Sequence, residues 1–132
     1  MTSKVTYLGG LRTSSVHLPS GTEAISDAPV DNHGKGEAFS PTDSVANALA
    51  TCMFTVMGIK AQAMDFSLEG ATAEVTKHMN PDPRRIAAVD VVFNLPQADE
   101  KTRAILERTA MSCPVLLSLS ESVEKNVTFN WA

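Results

Sequence analysis

Short β-prone runs punctuated by glycine open the chain, and a long, nearly unbroken apolar segment occupies its middle. Residues 2–8, TSKVTYL, and 11–18, LRTSSVHL, flank Gly9 and Gly10, a two-residue hairpin signal. A third run, TEAISD at 22–27, follows Pro19, Ser20 and Gly21, so an antiparallel three-strand meander is predicted. The next stretch, APVDNHGKGEAFSP at 28–41, is rich in Gly, Pro, Asp and Asn. It predicts a long loop, and not a domain boundary, because too little chain precedes it to form a core.

The apolar segment predicts a helix over 41–64. Ser40 can cap it, Pro41 suits the first helical position, and Asp43 complements the positive end of the dipole. Along it Ser44, Asn47, Thr51, Thr55, Gly58 and Gln62 recur at spacings of three and four, a narrow polar or small stripe on an otherwise apolar cylinder. Such a helix is expected to be buried nearly all round. A 132-residue chain has scarcely enough material to enclose it, which predicts a second subunit.

After Gly70, ATAEVTKHM at 71–79 and RRIAAVDVVFNL at 84–95 predict two strands around NPDPR, where two prolines forbid helix. Residues 99–110 form a second amphipathic pattern, with Thr102, Ile105, Leu106 and Thr109 on one face. Pro114 starts a short third helix, and NVTFNW at 126–131 closes as a strand. Strands clustered in hairpins imply an α+β fold, not a doubly wound parallel sheet.

Composition narrows the partners. At 43% hydrophobic and 20% charged, the chain has the makings of one folded domain over 1–132. A net charge of -4 argues against nucleic acid or an anionic membrane surface, so a small ligand is expected. MTSKVTYLGG contains no apolar run of signal-peptide length. The longest uncharged stretch, Ser44 to Ile59, is shorter than a membrane span and carries Asn47, Thr51 and Thr55. A cytoplasmic protein is expected, where thiols stay reduced, so its two cysteines suggest a catalytic pair, a metal site or core filler before a structural disulfide.

Cys52 falls mid-helix with Ala48, Leu49, Thr55 and Val56 at helical spacing, the surroundings of a small core residue. Cys113 differs. With Pro114 at the first helical position it becomes the N-cap, beside unpaired backbone N–H groups and the positive dipole end, both of which favour thiolate. No pair among Cys52, Cys113, His17, His33 and His78 stands at the close spacing of zinc ligands, and no metal is expected. His17 reads as a solvated or core-satisfied histidine, and His33 as an exposed one. No Gly-rich phosphate loop or serine elbow is present, and no cofactor is implied.

Three segments carry a resemblance. FSPTDSVANALATCMF at 39–54, with proline eleven residues before cysteine, SCPVLLSL at 112–119 and YLGGLRTSSVHLPSG at 7–21 together resemble the OsmC/Ohr family of osmotically inducible and organic hydroperoxide resistance proteins. The resemblance covers nearly the whole chain, in order. It implies an α+β protomer with antiparallel sheets around a long buried central helix, in an intertwined homodimer. It also implies thiol peroxidase chemistry in which Cys52 matches the peroxidatic cysteine and Cys113 the resolving one, with a dithiol reductant resetting the pair. Because a buried thiolate needs a compensating charge, Arg12 in GGLRTSS matches the arginine that would hold it. The hydroperoxide-resistance branch places a glutamate after the helix-opening proline, where this chain has Thr42, and Asp43 and Glu37 are the two candidates to orient Arg12. Leu49, Met53, Phe54 and Val56 would receive the alkyl chain of an organic hydroperoxide. The alternative is a binding or sensing protein that keeps the fold and uses the same pocket for an apolar ligand.

Overall fold

The computed structural model describes all 132 residues. Strands β1 (Ser3–Gly9), β2 (Arg12–His17) and β3 (Glu23–Asp27) pair antiparallel in sequence order, as the meander pattern predicts. The first turn is shifted by one residue from the Gly-Gly pair. Gly9 pairs with Arg12, and the two residues between them, Gly10 at φ 61° and Leu11 at φ 63°, are both left-handed. Mirror-image hairpin turns demand this because their twist matches that of the strands. A register irregularity between Tyr7 and Gly9 bulges β1. Arg12 therefore opens β2 and lies opposite Asp27 on β3.

The loop after β3 folds back on the sheet. Asp27 N donates to Phe39 O at 3.1 Å, Ala28 N to Leu11 O at 3.2 Å and Gly36 N to Ala28 O at 3.1 Å. Gly34 has no substitute there, since a Cβ would lie 1.7 Å from the Ala28 carbonyl oxygen.

Helix α1 (Pro41–Ala63) meets the sequence expectation to within one residue. Ser40 Oγ accepts from Asp43 N and Asp43 Oδ2 accepts from Ser40 N, each at 3.0 Å, a capping box with aspartate in the usual glutamate role. Ala46, Leu49, Ala50, Met53, Met57 and Ala61 form its buried row. The opposite face is open in the single chain, where Ser44, Thr51, Thr55 and Gln62 are exposed as the polar stripe predicts. Val45 and Ile59 are exposed with them, so one protomer covers one side of the helix and not its whole circumference. By length and mean hydropathy, 1.3, α1 could cross a membrane, although its longest uncharged run is short. Its continuous buried row is that of a core helix.

Contacts divide the chain into two units, Met1–Val45 and Ala46–Ala132, with the boundary inside α1. In the second unit β4 (Thr72–Pro81) and β5 (Arg84–Leu95) form the expected antiparallel hairpin. Helices α2 (Glu100–Ala110) and α3 (Pro114–Ser118) follow, and β6 (Glu124–Trp131) returns to β5. That last pairing is parallel, which corrects the expectation of wholly antiparallel sheets. The physical reason is connectivity: α2 and α3 supply the crossover that a parallel neighbour requires. Phe93 anchors the core, stacked on Phe129 at 5.4 Å and met edge-on by Phe54 at 4.8 Å, with Leu49, Met53, Met57, Val91 and Leu106 also fully buried.

Candidate redox site

Both cysteines belong to the second unit, and both are free thiols. Cys52 is half-buried, at the margin between the core-facing row of α1 and its exposed side. Cys113 is fully buried and is the N-cap of α3, as its place before Pro114 predicts. Its sulfur accepts from Leu116 N at 3.3 Å. The expected consequence, a thiolate at Cys113, does not follow. Burial pushes the Cys113 thiol up from its ordinary pKa, a hydrogen bond with Cys52 and the charge Cys52 can carry push it further, and the backbone N–H groups of Leu116 and Val115 do not offset them. A helix of five residues has only a small dipole to set against a fully desolvated sulfur.

The fold thus brings together two thiols that are 61 positions apart in sequence. Burial and negative charge at Cys52 both disfavour charge on Cys113, so Cys113 is a thiol that keeps its proton. Of the four residues expected to receive an alkyl chain, Leu49 and Met53 have no exposed surface and are core side chains, whereas Phe54 and Val56 are partly buried against that core. Alternation of burial around a helix decides this: Leu49 and Met53 share the i, i+4 row that is buried in the hydrophobic core.

The charged residues expected at the site lie in the first unit. Arg12 Nη1 stands 3.6 Å from Glu37 Oε2, which makes Glu37 an ion-pair partner of the arginine. Asp43 commits one carboxylate oxygen to the helix cap. The arginine and Glu37 are 36% and 57% exposed, so their pair contributes at most about 1 kcal/mol to stability. Glu37 is itself held, because its backbone N donates to Asp27 Oδ2 at 3.1 Å. Asp27 was not singled out by sequence reasoning. Its only signal is register, an acid opposite an arginine across two strands, and that emerges once the turn at Gly10 and Leu11 is placed. Beside Glu37 a recess of about 430 Å³ is lined by Ile25, Gly36, Glu37, Ala38, Phe39 and Asp43, with Ile25 and Phe39 exposed.

The chain is thus a mixed α+β protein with two three-stranded sheets, a long helix carrying one cysteine and a second cysteine capping a short helix. The OsmC-like protein family profile matches residues 34–128, and the chain belongs to that family. Among solved structures, an osmotic stress induced and detoxification response protein from Psychrobacter arcticus is 51% identical over 98% of this chain and 96% of its own, with a TM-score of 0.95. The organic hydroperoxide resistance protein OsmC of Legionella pneumophila shares the fold at 19% identity, covering 98% of this chain and 97% of its own, TM-score 0.73. So does the organic hydroperoxide resistance protein OhrB of Bacillus subtilis, at 18% identity and 98% of both chains, TM-score 0.69. No curated protein matches the sequence significantly.

Proposed function

We propose that this protein is a thiol-dependent peroxidase that reduces organic hydroperoxides to alcohols. The observation that carries the reading is the interaction of Cys52 with Cys113, a half-buried thiol beside a buried one that keeps its proton. The Cys52 thiolate attacks the terminal oxygen of ROOH, the O–O bond breaks, and the departing alkoxide takes a proton to leave as ROH. Cys52 is then a sulfenic acid, two electrons oxidised. The Cys113 sulfur attacks the Cys52 sulfur, a disulfide forms, and the hydroxyl departs as water with the Cys113 proton. A dithiol reductant returns both thiols by two exchanges and is itself left as a disulfide. No bound cofactor enters the cycle.

Arg12 is assigned to the thiolate by its place in the family motif, where its fixed charge and planar fork would hold sulfur and peroxide oxygen together. Its pairing with Glu37 supplies the orientation that the missing glutamate at Thr42 would otherwise give. The reading includes a cytoplasmic homodimer, in which a second copy would cover the exposed side of α1. An apolar substrate is preferred to hydrogen peroxide because Cys52, with Val56 one turn further along α1, is partly buried against the apolar core.

Stopped-flow oxidation with cumene hydroperoxide and, separately, hydrogen peroxide, followed by mass spectrometry, tests this. Faster consumption of cumene hydroperoxide with a 52–113 disulfide is expected. No oxidation of Cys52 by either peroxide would leave the binding-protein alternative.

A further inference from the structure

We propose that Asp27 is the positioning residue of Arg12, acting by fixing Glu37 through its backbone and by setting a buried carboxylate opposite the arginine in the strand register. The inference rests on the reading that Arg12 serves the Cys52 thiolate, but its structural part can be tested without it.

Arg12 and Asp27 are direct partners across β2 and β3, so their side chains leave the sheet on the same face. Asp27 has no exposed surface at all, which is rare for a carboxylate unless it is engaged. One of its oxygens takes the Glu37 N–H, while the other, Oδ1, is buried without a hydrogen-bond partner. Arg12 has the complementary feature: its Nε is buried and unpartnered. A buried acceptor and a buried donor, both unsatisfied, thus sit on two residues paired in register. Each is costly alone, and their opposite charges offset part of that cost together.

The Arg12–Glu37 pair by itself is too exposed to hold a long, flexible side chain in one geometry. Asp27 provides the second hold. Its N–H to Phe39 O bond closes the loop at its neck, and its Oδ2 takes the Glu37 N–H near the far end. Between them, Gly34 against Ala28 and Gly36 beneath Val30 leave the loop no spare volume. Glu37 is therefore carried on a braced segment whose root is the same residue that faces the arginine.

Asp27→Asn separates the two roles, since the amide oxygen still accepts the Glu37 N–H but the charge facing Arg12 is gone. We expect Asp27→Asn to keep the wild-type melting temperature within a few degrees and to slow Cys52 oxidation by cumene hydroperoxide about tenfold or more, the scale of a misplaced catalytic group. In an Arg12→Ala background the same substitution should add nothing. Equal slowing with and without Arg12, or no slowing at all, would reduce Asp27 to a loop brace. Solvent exchange of the Arg12 Nε–H, followed by NMR in the reduced protein, reports the positioning independently of turnover. Slow exchange in wild type and at least tenfold faster exchange in Asp27→Asn is expected. If wild type consumed no peroxide and the exchange still accelerated, the positioning would stand and the peroxidase reading would fall. Unchanged exchange would overturn the positioning whatever the activity. Should Asp27→Asn fail to fold, Glu37→Gln, at an exposed position, is put through the same exchange measurement. Accelerated exchange there supports the chain of contacts from Asp27, and unchanged exchange overturns it.

Discussion

Cys113 shows how one residue's chemistry is decided by competing small effects. A helix N-cap draws its thiol toward ionisation, and burial together with Cys52 draws it back with greater force. Under the proposed cycle, Cys52→Ser should abolish peroxide consumption. Cys113→Ser should allow one turnover and leave a sulfenate that dimedone traps at Cys52; dimedone adduct on Cys113 in the wild type, and none at Cys52 in that variant, would exchange the two roles. The raised Cys113 pKa also predicts a pH dependence. The folded state binds the thiol proton more tightly than the unfolded state, so this stability is full below the unfolded thiol pKa, about 8.5, and is lost as pH rises through the higher folded value. Urea unfolding between neutral and alkaline pH should show that decline, and Cys113→Ala should flatten it. Arg12→Ala should slow Cys52 oxidation about tenfold or more, and Arg12→Lys should recover part of it, because an ammonium lacks the planar fork.

At the scale of elements, the capping box and the loop before it each hold an acidic residue in a visible contact. Asp43 caps the start of α1 and Glu37 pairs with Arg12. Asp43→Ala should therefore lower stability by about 1 kcal/mol, the usual worth of a cap, seen as a fall of a few degrees in Tm. It should leave the Arg12–Glu37 pair in place. Gly34→Ala has the opposite profile. A Cβ 1.7 Å from Ala28 O must push the loop away, so the loss should appear chiefly as displacement of Glu37, read in the chemical shifts of Arg12 and Glu37. The boundaries of α1 and α2 and the start of α3 were legible to within a residue or two because proline and capping side chains mark helix starts by local chemistry alone. The start of β2 was not, because Leu11 at φ 63° occupies a position sequence rules reserve for glycine.

At the scale of the molecule, the exposed side of α1 bears on assembly. Val45, Thr51, Thr55 and Ile59 face outward from a helix whose other side is packed in the core. Covering that side with a second copy is the proposed use, and sedimentation at micromolar concentration should give a dimer. A stable monomer would remove this part of the reading, and Ile59→Asp should weaken a dimer without disturbing the buried row.

Local patterns in the chain determine the elements, the N-terminal meander, the N-cap position of Cys113 and, by its three motifs together, the family. These are set by neighbours a few residues apart, which is the range over which capping, turns and periodicity act. Tertiary structure decided the rest. It made β6 a parallel neighbour of β5, put Leu49 and Met53 in the core, brought Glu37 to Arg12, and kept the proton on Cys113. Each of these depends on groups distant in sequence meeting in a medium from which water is excluded, and there desolvation and register, not local propensity, set the energies.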